Sequence, residues 1–160
     1  MDKIKVNIMQ NFEIIEIIKI EIDDILLELH FNLINEEKKH SFKIGISEDA
    51  ETIVLDQSVE WENFSKRNYD AFKVSYAVAA NDNNDLSRLI HQTIKEINLG
   101  MGKTLNNESV MYYFKLTTDK SDFLFFNNGD EGAYTFDKID DILVNDTYGY
   151  NWLNITSSSE

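Results

Sequence analysis

The chain has 160 residues, 42% of them hydrophobic and 12% aromatic, enough for one buried core and too rich for intrinsic disorder. Cysteine is absent, which excludes disulfides, thiolate nucleophiles and thiolate metal sites and suits a reducing, cytoplasmic setting. The formal net charge of −14 is the opposite of what a phosphate-backbone binder needs, so direct nucleic-acid binding is disfavoured and a basic partner is favoured.

The first half reads as antiparallel strands. Ile4, Val6 and Ile8 alternate with Lys3, Lys5 and Asn7, the pattern of a half-buried strand. In the next run Phe12, Ile14, Ile18, Ile20 and Ile22 share one face, with Glu16 the exception on it. Charges at Glu16, Lys19, Glu21, Asp23 and Asp24 keep this run from serving as a secretory signal or a membrane span. Asp23-Asp24 predicts a tight reversal into Ile25–Leu33, where Ile25, Leu27, Leu29, Phe31 and Leu33 lie on one side. Polar Asn35–His40 predicts a second turn, and Ser41–Ile46 and Thr52–Leu55 two short strands around the acidic tip Glu48-Asp49. Ser58–Tyr69, with Trp61 and Phe64 three apart, fits a helical turn or a loop equally well, and Ala71–Val78 returns to alternation.

Asp85 then stands as a helix N-cap, its carboxylate suited to the free N–H groups of a first turn. Leu86, Leu89, Ile90, Thr93, Ile94 and Ile97 form one stripe at helical spacing, with Arg88, Gln92 and Lys95 outside it. The spacing predicts an amphipathic helix over about 85–99, stopped by Gly100. Val110–Thr117 and Phe123–Phe126 predict a hairpin, the second strand apolar on both faces and therefore central. Asn128-Gly129 is a turn signal, Ala133–Phe136 pairs next, and Asp137–Val144 reads as a short helix with Ile139, Ile142 and Leu143 facing in. The expected fold class is α+β: an antiparallel β-meander of about seven to nine strands, one main helix and a short C-terminal helix. The expected organisation is a single domain over 1–156 followed by a frayed tail, Ser157–Glu160.

Gly100-Met101-Gly102-Lys103-Thr104 resembles the end of a phosphate-binding loop. The resemblance fails, because Ile97 stands where the first glycine belongs and because the motif follows the predicted helix, where carbonyls rather than N–H groups point outward. Asn127–Gly132 resembles a calcium loop, but Lys138 occupies the place of the bidentate glutamate. Asp130 and Glu131 are weighed as a looser cation site against an ordinary acidic turn. His30, His40 and His91 show no ligand spacing and read as surface or edge residues. No nucleophile elbow occurs, and with 29 acids some pair meets any required distance, so pairs of carboxylates carry no information. No cofactor, metal or catalytic residue is therefore assigned.

What remains is a shift in composition. From Asp119 to Glu160 nine acids stand against two lysines, a charge of −7, half of the total of −14 in about a quarter of the chain. Within it Tyr148, Tyr150 and Trp152 alternate just after Asp146. Rings beside carboxylates are the composition of a hot spot for a basic partner; the bland alternative is an edge strand with a solvated acidic face. The candidate partner-binding residues are Asp130, Glu131, Asp146, Tyr148, Tyr150 and Trp152, with a second patch at Glu60, Trp61 and Glu62. The expected function is a non-enzymatic, acidic protein-binding module, for which an immunity protein or phage-type inhibitor occluding a basic toxin or nuclease is a concrete form. The alternative is an enzyme or small-ligand binder with a pocket between the sheet and the 85–99 helix.

Overall fold

The computed structural model describes residues 10–57, 73–79 and 84–156. The Ile4–Ile8 strand, the Ser58–Tyr69 segment with Glu60, Trp61 and Glu62, and the Ser157–Glu160 tail lie outside them. Strands β1 (Glu13–Ile22) and β2 (Ile25–Asn35) form a hairpin whose two-residue turn is Asp23-Asp24. Both aspartates have positive φ, 51° and 66°, the paired left-handed geometry that matches the twist of flanking strands. Glu36-Glu37 makes the next two-residue turn into β3 (Lys38–Ile46), which pairs with β4 (Ile53–Gln57).

A bulge in β1 between Ile14 and Glu16 exchanges its faces. Ile14 and Ile17 therefore both enter the main core, while Ile18 and Ile20 turn to the other side and pack with Val74 of β5 (Lys73–Ala77). The single apolar face expected for β1 is thus two half-faces. Glu16 shares the outer side, where it accepts a hydrogen bond from Asn32 Nδ2 at 2.6 Å, and Asn32 Oδ1 accepts from Ser41 Oγ at 2.7 Å. That chain satisfies an Asn32 side chain that is almost wholly buried.

The main correction concerns residues 85–99 and, with them, the fold class. Strands make up 58% of the described residues and helical turns 9%, so the molecule is not α+β. Asp85–Leu89 is one 3-10 turn and Ile94–Lys103 is strand β6. The helical spacing has two local sources. Leu86 and Leu89 fall on one side of the 3-10 turn. In β6 a bulge between Ile94 and Glu96 lets Ile94 and Ile97, three apart, both face the core. Isoleucine and threonine, stiff at χ1, suit the extended chain better than a helix. The turn is capped by Asn84, whose Oδ1 accepts from Leu86 N at 2.9 Å, while Asp85 accepts from Tyr134 Oη–H at 2.7 Å. Gly100 ends nothing; it sits inside β6 opposite Tyr113.

Strands β7 (Ser109–Thr118), β8 (Asp122–Asn127) and β9 (Gly132–Thr135) follow as expected hairpins. Their pairing closes a six-stranded barrel in the order β2-β3-β4-β7-β8-β9 and back to β2. Two seams are narrow: β4 meets β7 at Ile53 and Met111, and β9 meets β2 at Gly132 and Leu26. Strands β1 and β5 extend the sheet from β2, and β6 and β10 (Asn151–Asn154) extend it from β7. The start of β1 also meets the approach to β6, with Ile94 N donating to Phe12 O at 2.9 Å and Ile14 N to Gln92 O at 2.9 Å.

The core is filled by side chains, as a barrel of this size requires. Phe31 stacks on Phe42 at 4.7 Å and meets Phe123 edge-on at 6.0 Å, and Phe42 lies 5.7 Å from Phe114. Helix α1 (Ile139–Val144), two residues shorter at its start than expected, covers the outer face of β7 and β8 through Ile139, Ile142 and Leu143. Its cover over Leu124 explains the apolar character of β8 on both faces. Among the described residues no helix is long and apolar enough to cross a membrane.

Candidate functional site

The site begins with an irregularity in β7. Register shifts between Gly100 and Met101 of β6, which pair with Tyr113 and Met111, leaving Tyr112 as the extra residue of a bulge. Met111 and Phe114 point into the core, while Tyr112 and Tyr113 both belong to the outer cluster under α1. After α1 the chain crosses this surface as an arm, Asn145–Tyr150, and enters β10 alongside β6. The crossing needs Gly102: a Cβ there would come within 2.5 Å of Tyr112 Cε2 and 2.7 Å of the Gly149 carbonyl oxygen. The two glycines of the Gly-Met-Gly-Lys-Thr stretch, expected to punctuate a helix, instead make room for tyrosines.

Rings assemble along the arm. Tyr148 stacks flat on Tyr112, with centroids 4.3 Å apart and planes 4° from parallel. Tyr150 meets Tyr113 edge-on at 4.9 Å and Trp152 edge-on at 5.1 Å. Asp146 anchors the arm by accepting from Tyr113 Oη–H at 2.5 Å and from Gly149 N at 2.8 Å. Burial, and then the carboxylate that accepts its proton, push the Tyr113 phenol well above its ordinary value. Burial does the same to Tyr112 and Tyr150. Near neutral pH these three phenols are held protonated, and the Tyr113 hydroxyl serves as a donor.

Four of the sequence-derived candidates, Asp146, Tyr148, Tyr150 and Trp152, therefore lie together. Tyr148 is 54% exposed and Trp152 40%, whereas Tyr150 is half-buried. Asp130 reaches the same region from the β8–β9 turn, where it and Tyr148 line one open groove of about 730 Å³. Asp49, Glu51 and Glu108 add three acidic residues to that groove, and among the described residues Lys103 is the one cation lining it. Among the described residues none of the four groove carboxylates forms an ion pair; the ion pairs lie at Glu28, Asp137 and Glu13. Hydrogen bonds from Ser47 Oγ–H and the Glu51 N–H hold the Asp49 carboxyl below its ordinary value, so it stays ionised. A smaller depression shares Glu51, Tyr112 and Tyr148 and reaches Asp146. Another, lined by Ile20, Leu27 and Ile46, shares Ala50 and Asp130.

Glu131 is not brought to the groove; its carbonyl oxygen accepts from Asn128 N within the turn. Other acids of the C-terminal region serve the fold. Asp137 pairs with Arg88 at 3.3 Å, Asp119 accepts from Thr93 N at 3.0 Å, and Asp140 and Asp141 stand in the first turn of α1, where negative charge is favourable. Tyr112, Tyr113, Asp49, Glu51 and Glu108 escaped the sequence reading. One signal was available: adjacent tyrosines inside an otherwise alternating strand mark a bulge. His30, expected at a surface or edge, is buried, with Nε2 2.9 Å from Glu28 Oε1. Among the described residues no group of three or more His, Asp or Glu side chains is arranged to hold a metal ion. The pocket expected between the sheet and a helix over 85–99 has no such helix to form it. Comparison with family models, with curated proteins and with solved structures finds no match to this chain.

Proposed function

We propose that the chain is a binding module without catalytic activity that captures a cationic protein, seating a lysine- or arginine-bearing segment in the groove between Asp130 and Tyr148. One observation supports this reading: four acidic residues with no ion pair among the described residues line one groove together with exposed Tyr148, which is stacked on half-buried Tyr112. The net charge of −14 steers a basic surface inward. The groove carboxylates then fix its orientation, and the outer face of Tyr148 accepts a guanidinium or ammonium group by cation–π attraction. Tyr112 behind Tyr148 holds that ring in place before binding, which reduces the ordering cost of association. An inhibitor or immunity protein that covers a basic active-site cleft is the form of partner capture that such a surface suits.

The test uses an octa-arginine peptide as probe and two charge-matched variants of the full chain. Glu51→Gln, Glu108→Gln and Asp130→Asn together neutralise the groove, and asparagine tolerates the left-handed backbone of Asp130. Asp137→Asn, Asp140→Asn and Asp141→Asn together remove the same charge elsewhere. Groove neutralisation is expected to weaken binding at least ~tenfold, about 1.4 kcal/mol, and to flatten its salt dependence, with the second variant changing affinity much less. Equal weakening by the two variants rules out the groove as the seat of recognition.

A further inference from the structure

Among the described residues β10 is an edge strand, paired on one side only. Ile155 N donates to Ile97 O at 3.0 Å, and the pairing runs without a shift from there to Asn151 and Met101. Antiparallel alternation then turns the N–H and C=O of Asn151 and Leu153 toward β6 and those of Trp152 and Asn154 outward. All four residues of β10 are exposed, and among the described residues β10 pairs with β6 alone. Apart from its shortness, four residues, this edge carries none of the usual protections among the described residues. Asn151-Trp152-Leu153-Asn154 carries no charge, the chain has no proline, and the pairing has no bulge.

Charge decides what the edge accepts. Glu96 Oε1 accepts from the side-chain amides of Asn98 at 2.7 Å and Asn154 at 3.1 Å, placing a carboxylate at the far end of β10. Asp146 stands before its near end. Among the described residues neither carboxylate is in an ion pair. A second copy of the chain would bring −14 against −14 and set these carboxylates near their own kind. A strand bearing lysine or arginine meets both carboxylates with the opposite sign. Trp152 and Leu153, 40% and 52% exposed, point to opposite faces of the strand and flank the alternating side chains of an added strand.

We propose that the outer edge of β10 takes up an extended segment of the cationic partner as an added strand, paired through the backbone of Trp152 and Asn154. The proposal rests on the reading of a cationic partner, and goes beyond it by assigning a second contact of a different kind. Two probes separate the contacts in the full chain: an eight-residue alternating Lys-Val peptide, and the same peptide N-methylated throughout, which keeps the charge and removes the N–H donors. With the unmethylated peptide at ten times its Kd, hydrogen exchange at the Trp152 and Asn154 amides is expected to slow ~tenfold, and the methylated peptide leaves it unchanged. Slowing by both peptides overturns the proposal, since coverage rather than backbone pairing then explains the protection. Movement of Tyr148 resonances by the unmethylated peptide with no slowing at Trp152 and Asn154 overturns the edge and leaves the groove standing. Failure of both peptides to bind overturns the groove and the edge alike. Protection of the two amides without peptide, together with a dimer mass in sedimentation, assigns the edge to a second copy and also overturns it.

Discussion

Tyr113 shows how one residue couples the core to the binding surface. Its ring is buried under α1 and beside Tyr150, and its hydroxyl holds Asp146, which in turn holds the arm that carries Tyr148. Tyr113→Phe keeps the ring and removes the hydroxyl, leaving one oxygen of Asp146 without its donor. A loss of about 1.5–3 kcal/mol is expected for a hydrogen bond to a charged acceptor, together with a weaker near-ultraviolet circular dichroism signal from a loosened Tyr112–Tyr148 stack. The same hydroxyl sets an alkaline limit. Its folded-state value lies above the ordinary 10.0, so the unfolded chain releases its proton first as pH rises. Stability present below pH 10 is therefore lost above it. Tyr134, buried and donating to Asp85, acts in the same direction. Thermal melting measured from pH 8 to 11 should fall more steeply above pH 10 in the native chain than in Tyr113→Phe; parallel curves would exclude Tyr113 as a source of the limit. Tyr148, Tyr150 and Trp152 were legible as a set because the sequence spaces them by two. Tyr113 was not, because nothing local says that a strand tyrosine sits beneath an arm from far along the chain.

At the scale of elements, the legible features were those with local causes. Asp23-Asp24 and Asn128-Gly129 turned where the sequence indicated, β8 was central, and the short helix formed within Asp137–Val144. The misread strands share one cause, the bulge, to which the 3-10 turn at Asp85–Leu89 adds its own helical spacing. A bulge adds one residue to a two-residue period, and a spacing of three then imitates a helix, as Ile94 and Ile97 do in β6. The same device hides which side of β1 and β7 is buried. Bulges also build the site, since the one in β7 places Tyr112 and Tyr113 on the same side. Gly102 tests how the arm depends on that arrangement. In Gly102→Ala the added methyl meets the Tyr112 ring and the fixed carbonyl of Gly149, and one of them has to move. A destabilisation of about 1–3 kcal/mol is expected from such overpacking, with loss of ring-current shifts at Tyr148. Full stability with unchanged Tyr148 resonances would mean that the arm crosses β6 with room to spare.

At the scale of the whole molecule, the described residues build a six-stranded barrel with flanking strands that local patterns could not reveal, because its closure depends on partners far apart in the chain. Every hairpin pairs neighbours in sequence, yet the ring shuts only where β4 meets β7 and where β9 returns to β2. Closing such long-range pairings costs chain entropy before their contacts repay it, which slows folding. The second seam is also sterically tight. A Cβ at Gly132 would lie 2.7 Å from Phe125 Cζ, whose ring is fully buried, and 3.1 Å from the Leu26 carbonyl oxygen across the seam. Gly132→Val therefore presses on the core and on the neighbouring strand together. Urea unfolding should show a lower midpoint, equivalent to about 1–3 kcal/mol, with an unchanged slope if the barrel still closes. A reduced slope would show that β9 has come away from β2 and left surface exposed in the native state, because the slope follows the area exposed on unfolding. A midpoint equal to that of the native chain would contradict the tight seam, and with it the explanation of why a glycine stands where β9 meets β2.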